Sequence, residues 1–265
     1  MAPTLDGFTQ FAFTHHGITH PVYRAGSGPA VIVIDELPGI TPRVEEFARR
    51  VIDIGCTVYL PSLFGIPGLP KQSNKAMLTS IRQVCVSREF TRLALRKVSP
   101  VTVWLRALAK QAHEECGGPG VGAVGMCFTG GFALAMAVDR RMLAPVMSQP
   151  SLPFPFGAAR KSDVGLDTAS LARVKERCVD EGLCVLGVRF TEDPMSPGER
   201  FARLRRELGD GFLGIEVPSS SVSDSDAPGG KPHSVLTEDL RDEPGHPTKD
   251  ALEKVLDHLR KRLLI

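Results

Sequence analysis

The 265 residues carry 32 basic against 30 acidic side chains, a formal net charge of +2, with 42% hydrophobic and 23% charged residues. So small a cationic surplus argues against a nucleic-acid partner, and no apolar run approaches the ~18 residues that a membrane span needs. The length suits a single α/β domain over residues 1–265, and the opening Met1 to Gly7 has no basic region followed by an apolar run, so a cytoplasmic protein without a membrane partner is expected.

In chain order, Phe11 to His15 and Thr19 to Arg24, joined near His16-Gly17, read as an antiparallel hairpin. Gly26-Ser27-Gly28-Pro29 then turns the chain into Ala30 to Ile34, an unbroken apolar run of the kind found in a strand covered on both faces. Thr41 with Pro42 marks a helix start, and Gly55 its end. A strand over Thr57 to Leu60 stops at Pro61, residues 62–75 read as a surface loop, and a helical stretch follows from about Lys75 to Val86. Ser99-Pro100 repeats the cap signal for a helix reaching Cys116.

Beyond it come a strand at Val121 to Val124, a helix at Thr129 to Val138 and a strand at Leu143 to Ser148. Gln149 to Asp167 reads as loop, Thr168 to Glu181 as helix and Leu183 to Phe190 as strand. Pro197 to Leu208 is expected to be helical and Gly214 to Val217 a short strand. Residues 218–232 form a polar Ser/Gly/Pro segment of the length often found bordering active sites. The closing helix, Thr248 to Leu263, puts Leu252, Val255, Leu256, Leu259 and Leu263 on one face. Strands alternating with helices predict a mostly parallel central sheet with helices on both faces, preceded by the hairpin.

Six cysteines are present, none in a C-x-x-C pair, so neither a zinc site nor a thioredoxin-type motif is expected, and the thiols should be free. Cys56 and Cys184 lie in strand-like runs, and Cys85, Cys116 and Cys178 in helix-like stretches; all five read as packing residues. Cys127 differs. It follows Val121-Gly122-Ala123-Val124-Gly125-Met126 and precedes Phe128-Thr129-Gly130-Gly131. This is the pattern of one nucleophile presented on a sharp turn between a strand and a helix. The helix N-terminus there favours thiolate over thiol.

A thiol nucleophile needs a base to take its proton and an acid to orient that base, in chain order nucleophile, acid, histidine. Asp193 follows a strand in Phe190-Thr191-Glu192-Asp193-Pro194, with Glu192 as the neighbouring alternative. His233 follows the long loop after the last strand, with His246 as the alternative base. His15, His16 and His20 read as hairpin surface, and His113 and His258 as solvated helix positions. Asp35-Glu36-Leu37-Pro38-Gly39 ends the first central strand and brings the Glu36 carboxylate to the same sheet edge as Cys127. The backbone N–H groups of Leu37 and Phe128 are the natural oxyanion donors.

Four pieces together resemble the dienelactone hydrolase family of the α/β-hydrolase fold: Ile34 to Ile40, Gly125 to Gly131, Phe190 to Pro194, and His233-Ser234. The resemblance runs from about Val31 to the final helix. It implies a catalytic triad of Cys127, Asp193 and His233, with Glu36 contacting the thiol in the resting enzyme. It further implies hydrolysis of a small-molecule ester or lactone through a thioester, without metal or organic cofactor, by a monomer or homodimer. Two features depart from the family. Thr129 stands where glycine is usual, and Arg82 and Arg88, in the region where the family's namesake binds a substrate carboxylate, read as solvated helix positions. A non-catalytic thiol sensor on the same fold and an acyltransferase using the same triad are the competing expectations.

Overall fold

In the computed structural model, which describes residues 5–70 and 99–264, the apolar runs form one eight-stranded sheet. The strands are β1 (Thr9–His15), β2 (Ile18–Gly26), β3 (Ala30–Ile34), β4 (Thr57–Pro61), β5 (Val121–Met126), β6 (Met142–Ser148), β7 (Val185–Phe190) and β8 (Phe212–Val217). Their order is β1-β2-β4-β3-β5-β6-β7-β8. β1 and β2 pair as an antiparallel hairpin and β2 joins β4 antiparallel, while every pairing from β4 through β3 to β8 is parallel. This is the α/β-hydrolase arrangement read from the sequence.

All five residues of β3 are buried, but they serve two cores. Ala30, Ile32 and Ile34 pack with Trp104, Phe132, Val174 and Phe201 on one face. Val31 and Val33 pack with Phe47, Val51, Leu252 and Leu259 on the other. Helices α2 (Pro100–Cys116), α3 (Gly130–Met136), α4 (Thr168–Asp180) and α5 (Gly198–Leu208) cover the first face, and α1 (Pro42–Asp53) and α6 (Pro247–Leu263) the second. A strand sandwiched in this way shows no polar alternation, because both of its faces are dry.

The helix ends follow from local chemistry. Thr41 caps α1, its hydroxyl accepting the Val44 N–H at 3.3 Å, with Pro42 as the first helical residue. Asp167 caps α4 through the Ser170 N–H at 2.7 Å. Ser99 precedes Pro100 as expected, yet its hydroxyl makes no cap bond. The expected loop from Gln149 to Asp167 contains one helical turn, Ala158–Lys161. The expected helix over Lys75 to Val86, and with it Arg82, Arg88 and Cys85, lies outside the described residues. None of the helices described is long and apolar enough to cross a membrane.

One reading needs correction. His258 is not solvated; it sits on the inner face of α6 at 8% exposure, and burial, with Arg262 and Lys261 nearby, pulls its pKa down to about 4. The apolar face of α6 spans Ala251, Leu252, Val255, Leu256, Leu259 and Leu263, and position 258 falls inside that arc.

Candidate active site

Cys127 directly follows β5 in a backbone conformation that non-glycine residues seldom adopt, with φ +52°. Such a residue costs of order 1 kcal/mol and persists only where its surroundings enforce it. They do so by removing all spare room. A Cβ on Gly125 would strike the Thr129 carbonyl, and one on Gly130 would lie 2.6 Å from the Pro150 Cα. Thr129 does not loosen the turn. Its fully buried hydroxyl accepts the Met126 N–H at 3.0 Å and lies 3.1 Å from the Asp35 carbonyl and 2.9 Å from that of Met126. Threonine thus ties the end of β5 to the end of β3, a bond that glycine lacks.

Asp193 follows β7 and His233 follows the segment after β8. His233 Nδ1 lies 2.7 Å from Asp193 Oδ2, and the second Asp193 oxygen accepts the Met195 N–H at 2.9 Å. The other side of the imidazole faces Ser151, whose hydroxyl lies 3.4 Å from Nε2 and 3.5 Å from Cys127 Sγ. Burial works against a charge on this ring. The Cys127 side chain, with the hydrogen bond to Asp193 and the Asp193 charge, outweighs it, so His233 titrates well above its usual range. Cys127, His233 and Asp193 therefore meet at the carboxyl edge of the sheet. The alternatives do not: Glu192 is exposed and paired with Lys231 at 3.1 Å, and His246 caps α6 by accepting the Thr248 N–H at 3.2 Å.

Glu36 reaches the same edge but not the sulfur. Its carboxylate accepts from Gln149 Nε2 at 3.2 Å, from Ser234 Oγ at 3.1 Å and from Thr237 Oγ1. The contact with Cys127 expected from the family is replaced by a clamp on the segment that carries His233. Beside it Asp35 is fully buried, accepting the Leu63 and Phe64 N–H groups at 3.4 and 3.3 Å. Burial first, with Glu36 adding a little, raises its pKa well above the carboxylate range despite those bonds. The Leu37 N–H has no partner among the described residues, and Phe128 is the middle residue of the short helical turn Cys127–Thr129 that leads into α3.

Sequence reasoning missed several residues. Ser151, 1% exposed, places its hydroxyl 3.5 Å from Cys127 Sγ and 3.4 Å from His233 Nε2. Asp239 holds the backbone of the base: a single oxygen, Oδ2, accepts the N–H groups of both His233 (2.8 Å) and Ser234 (2.9 Å). Two buried arginines brace the surrounding loops. Arg189 donates to the Ser196 and Thr191 carbonyls on either side of Asp193, at 2.6 and 2.8 Å, while pairing with Glu216. Arg200 donates to the carbonyls of Pro150, Pro153 and Asp163 on the segment containing Ser151. Ser151 had one available signal: it stands just past the end of β6, the strand beside the nucleophile strand. Asp239 had none, since a carboxylate six positions beyond a histidine follows no period.

Among the described residues no group of three or more His, Cys, Asp and Glu side chains is placed to hold a metal ion. In comparisons with known proteins, the model of the dienelactone hydrolase family matches residues 18–153. No curated protein matches. Among solved structures, a Klebsiella pneumoniae protein provisionally named a dienelactone hydrolase is similar at TM-score 0.64 and 18% identity, covering 96% of this chain and 98% of its own. A dienelactone hydrolase-like promiscuous phosphotriesterase from metagenomic libraries is similar at TM-score 0.59 and 15% identity, covering 97% and 98%. A dienelactone hydrolase from Anabaena variabilis gives 0.56 and 15%, covering 97% and 99%.

Proposed function

The chain belongs to the dienelactone hydrolase family, and from that premise we propose that it hydrolyses a small carboxylic ester or lactone with Cys127 as nucleophile. The observation that carries this reading is the His233 ring, held by the Asp193 carboxylate at 2.7 Å on one side and, on the other, linked to the Cys127 sulfur across the Ser151 hydroxyl. His233 Nε2 takes the thiol proton, and Asp193 holds the ring by Nδ1–H and favours its charged form. The thiolate attacks the carbonyl carbon, and the N–H groups of Leu37 and Phe128 receive the developing oxyanion. The imidazolium returns its proton to the leaving alkoxide. Water then attacks the thioester with His233 as base, releasing the acid and restoring the thiol. The scheme uses protein groups and water alone.

Two supports come from the surroundings. The raised His233 pKa suits an imidazole that accepts a proton and holds it. The Phe64, Phe128 and Phe154 rings, with centroids 5.6 and 6.3 Å apart in succession, make an apolar wall beside the nucleophile that suits the uncharged part of an ester.

The test is hydrolysis of p-nitrophenyl acetate by the wild type, Cys127→Ala and His233→Ala, with the expectation that each substitution lowers kcat/KM by about 10³-fold or more. A wild type without turnover whose Cys127 nonetheless alkylates quickly overturns the enzyme reading in favour of a thiol sensor. Faster release of p-nitrophenol on adding alcohols or amines identifies a transferase.

A further inference from the structure

We propose that Ser151 is a catalytic residue of this site, whose hydroxyl donates to the Cys127 sulfur once that sulfur is ionised and so sets the pH at which the nucleophile is charged. The inference rests on Cys127 being the nucleophile. Its geometric basis is that Ser151 is bound to the nucleophile twice. Its backbone N–H donates to the Cys127 carbonyl at 2.9 Å, and its hydroxyl lies 3.5 Å from Sγ, 3.4 Å from His233 Nε2 and 3.2 Å from the Gln149 carbonyl. A hydroxyl has one proton for those neighbours. While the sulfur is a neutral thiol, the best acceptor within reach is the Gln149 carbonyl. When the thiol proton moves to His233 Nε2, the sulfur becomes an anion. The Ser151 proton then turns from the carbonyl to the sulfur, and the imidazolium N–H is shared between sulfur and Ser151 Oγ. A hydrogen bond made to the charged form lowers the pKa of the group that carries the charge.

The other charged groups facing this pair are held in place independently. Asp193 stands behind the imidazole. Glu36, from the loop after β3, is bound to Gln149, Ser234 and Thr237. Arg200, from α5, grips the carbonyls of Pro150 and Pro153 and so fixes the backbone on both sides of Ser151 whatever its side chain. Removing the hydroxyl therefore removes one donor and leaves the remaining electrostatics standing.

The experiment is the pH dependence of Cys127 alkylation by iodoacetamide in the full chain, followed by mass spectrometry of the Cys127 peptide so that the other thiols do not contribute. Ser151→Ala and Ser151→Gly are both expected to move the midpoint upward by about one pH unit and to slow alkylation at neutral pH about tenfold, the size of one hydrogen bond to a charged group. Ser151→Thr, which keeps the hydroxyl, is expected to retain the wild-type midpoint. A midpoint unmoved or lowered in the Ala and Gly variants, or raised equally by Thr, overturns the proposal and leaves Ser151 as a loop residue. Wild-type Cys127 that resists alkylation at every pH overturns it together with the nucleophile reading. A wild type that fails to hydrolyse esters while the midpoint still shifts sinks only the hydrolase reading.

Discussion

Asp239 shows how much of a side chain's placement lies in the residues that hold its backbone. One of its oxygens collects the N–H groups of His233 and Ser234, and its own N–H returns to the Ser234 carbonyl at 3.0 Å. This closes a ring over residues 233–239 and fixes the backbone from which the imidazole projects. Glu36 grips the same ring through Ser234 and Thr237. Asp239→Ala is expected to lower kcat about 10- to 100-fold with little change in KM, because a misaimed base weakens proton transfer more than substrate binding. Asp239→Asn, which keeps the accepting oxygen, is expected to recover much of the loss. Steady-state kinetics on a p-nitrophenyl ester decide this, and equal losses in kcat and in binding count against the positioning role. At this scale the sequence marked residue types that suit chemistry at strand ends, and the structure brings three of them, at 127, 193 and 233, together. The sequence was opaque at Ser151 and Asp239, whose roles depend on where loops remote in sequence come to rest. Glu36 was legible as a carboxylate at this sheet edge, but its partners were not, because Ser234 and Thr237 approach it from 198 and 201 residues away.

Elements read more clearly than their fastenings. The strands declared themselves by apolar runs and the helices by Thr41-Pro42, Gly55 and the leucine stripe of α6. The misread His258 sits where the buried arc of that helix is wider than its leucines alone mark out. The buried arginines that join elements carried no such mark, since an arginine in an amphipathic helix reads as solvated. Arg200 is fully buried, and burial lowers its pKa to about 10, which leaves it charged at neutral pH while it satisfies the carbonyls of Pro150, Pro153 and Asp163. Arg177 does similar work below α3, donating to the Ala137 and Asp139 carbonyls at 2.6 Å each. Arg200→Met is expected to cost about 3 kcal/mol of stability, since several buried carbonyls lose their donor at once. Urea unfolding measures this, and a loss under about 1 kcal/mol would show that water takes the guanidinium's place.

For the whole molecule, acid stability is tied to α6. His258 is buried with its Nε2 lacking a partner among the described residues. Its pKa falls from 6.5 to about 4 on folding. A histidine depressed in this way is neutral in the native state and gains its proton more readily when unfolded. Its share of stability is therefore complete above pH 6.5 and drains away as pH falls through the interval down to about 4. Between pH 7.5 and pH 5 the loss should reach about 2 kcal/mol. His258→Leu is expected to flatten that slope in urea titrations run at several pH values, and parallel slopes in the two proteins reject the assignment.

The order of the strands has a consequence in time. On the proposed assignment the sulfur is translated more than a hundred residues before the imidazole that activates it, and that imidazole arrives only after β8 has joined the edge of the sheet. Until then the thiol on the growing polypeptide ionises only as far as solvent allows, and the activation that the imidazole adds comes with the finished sheet.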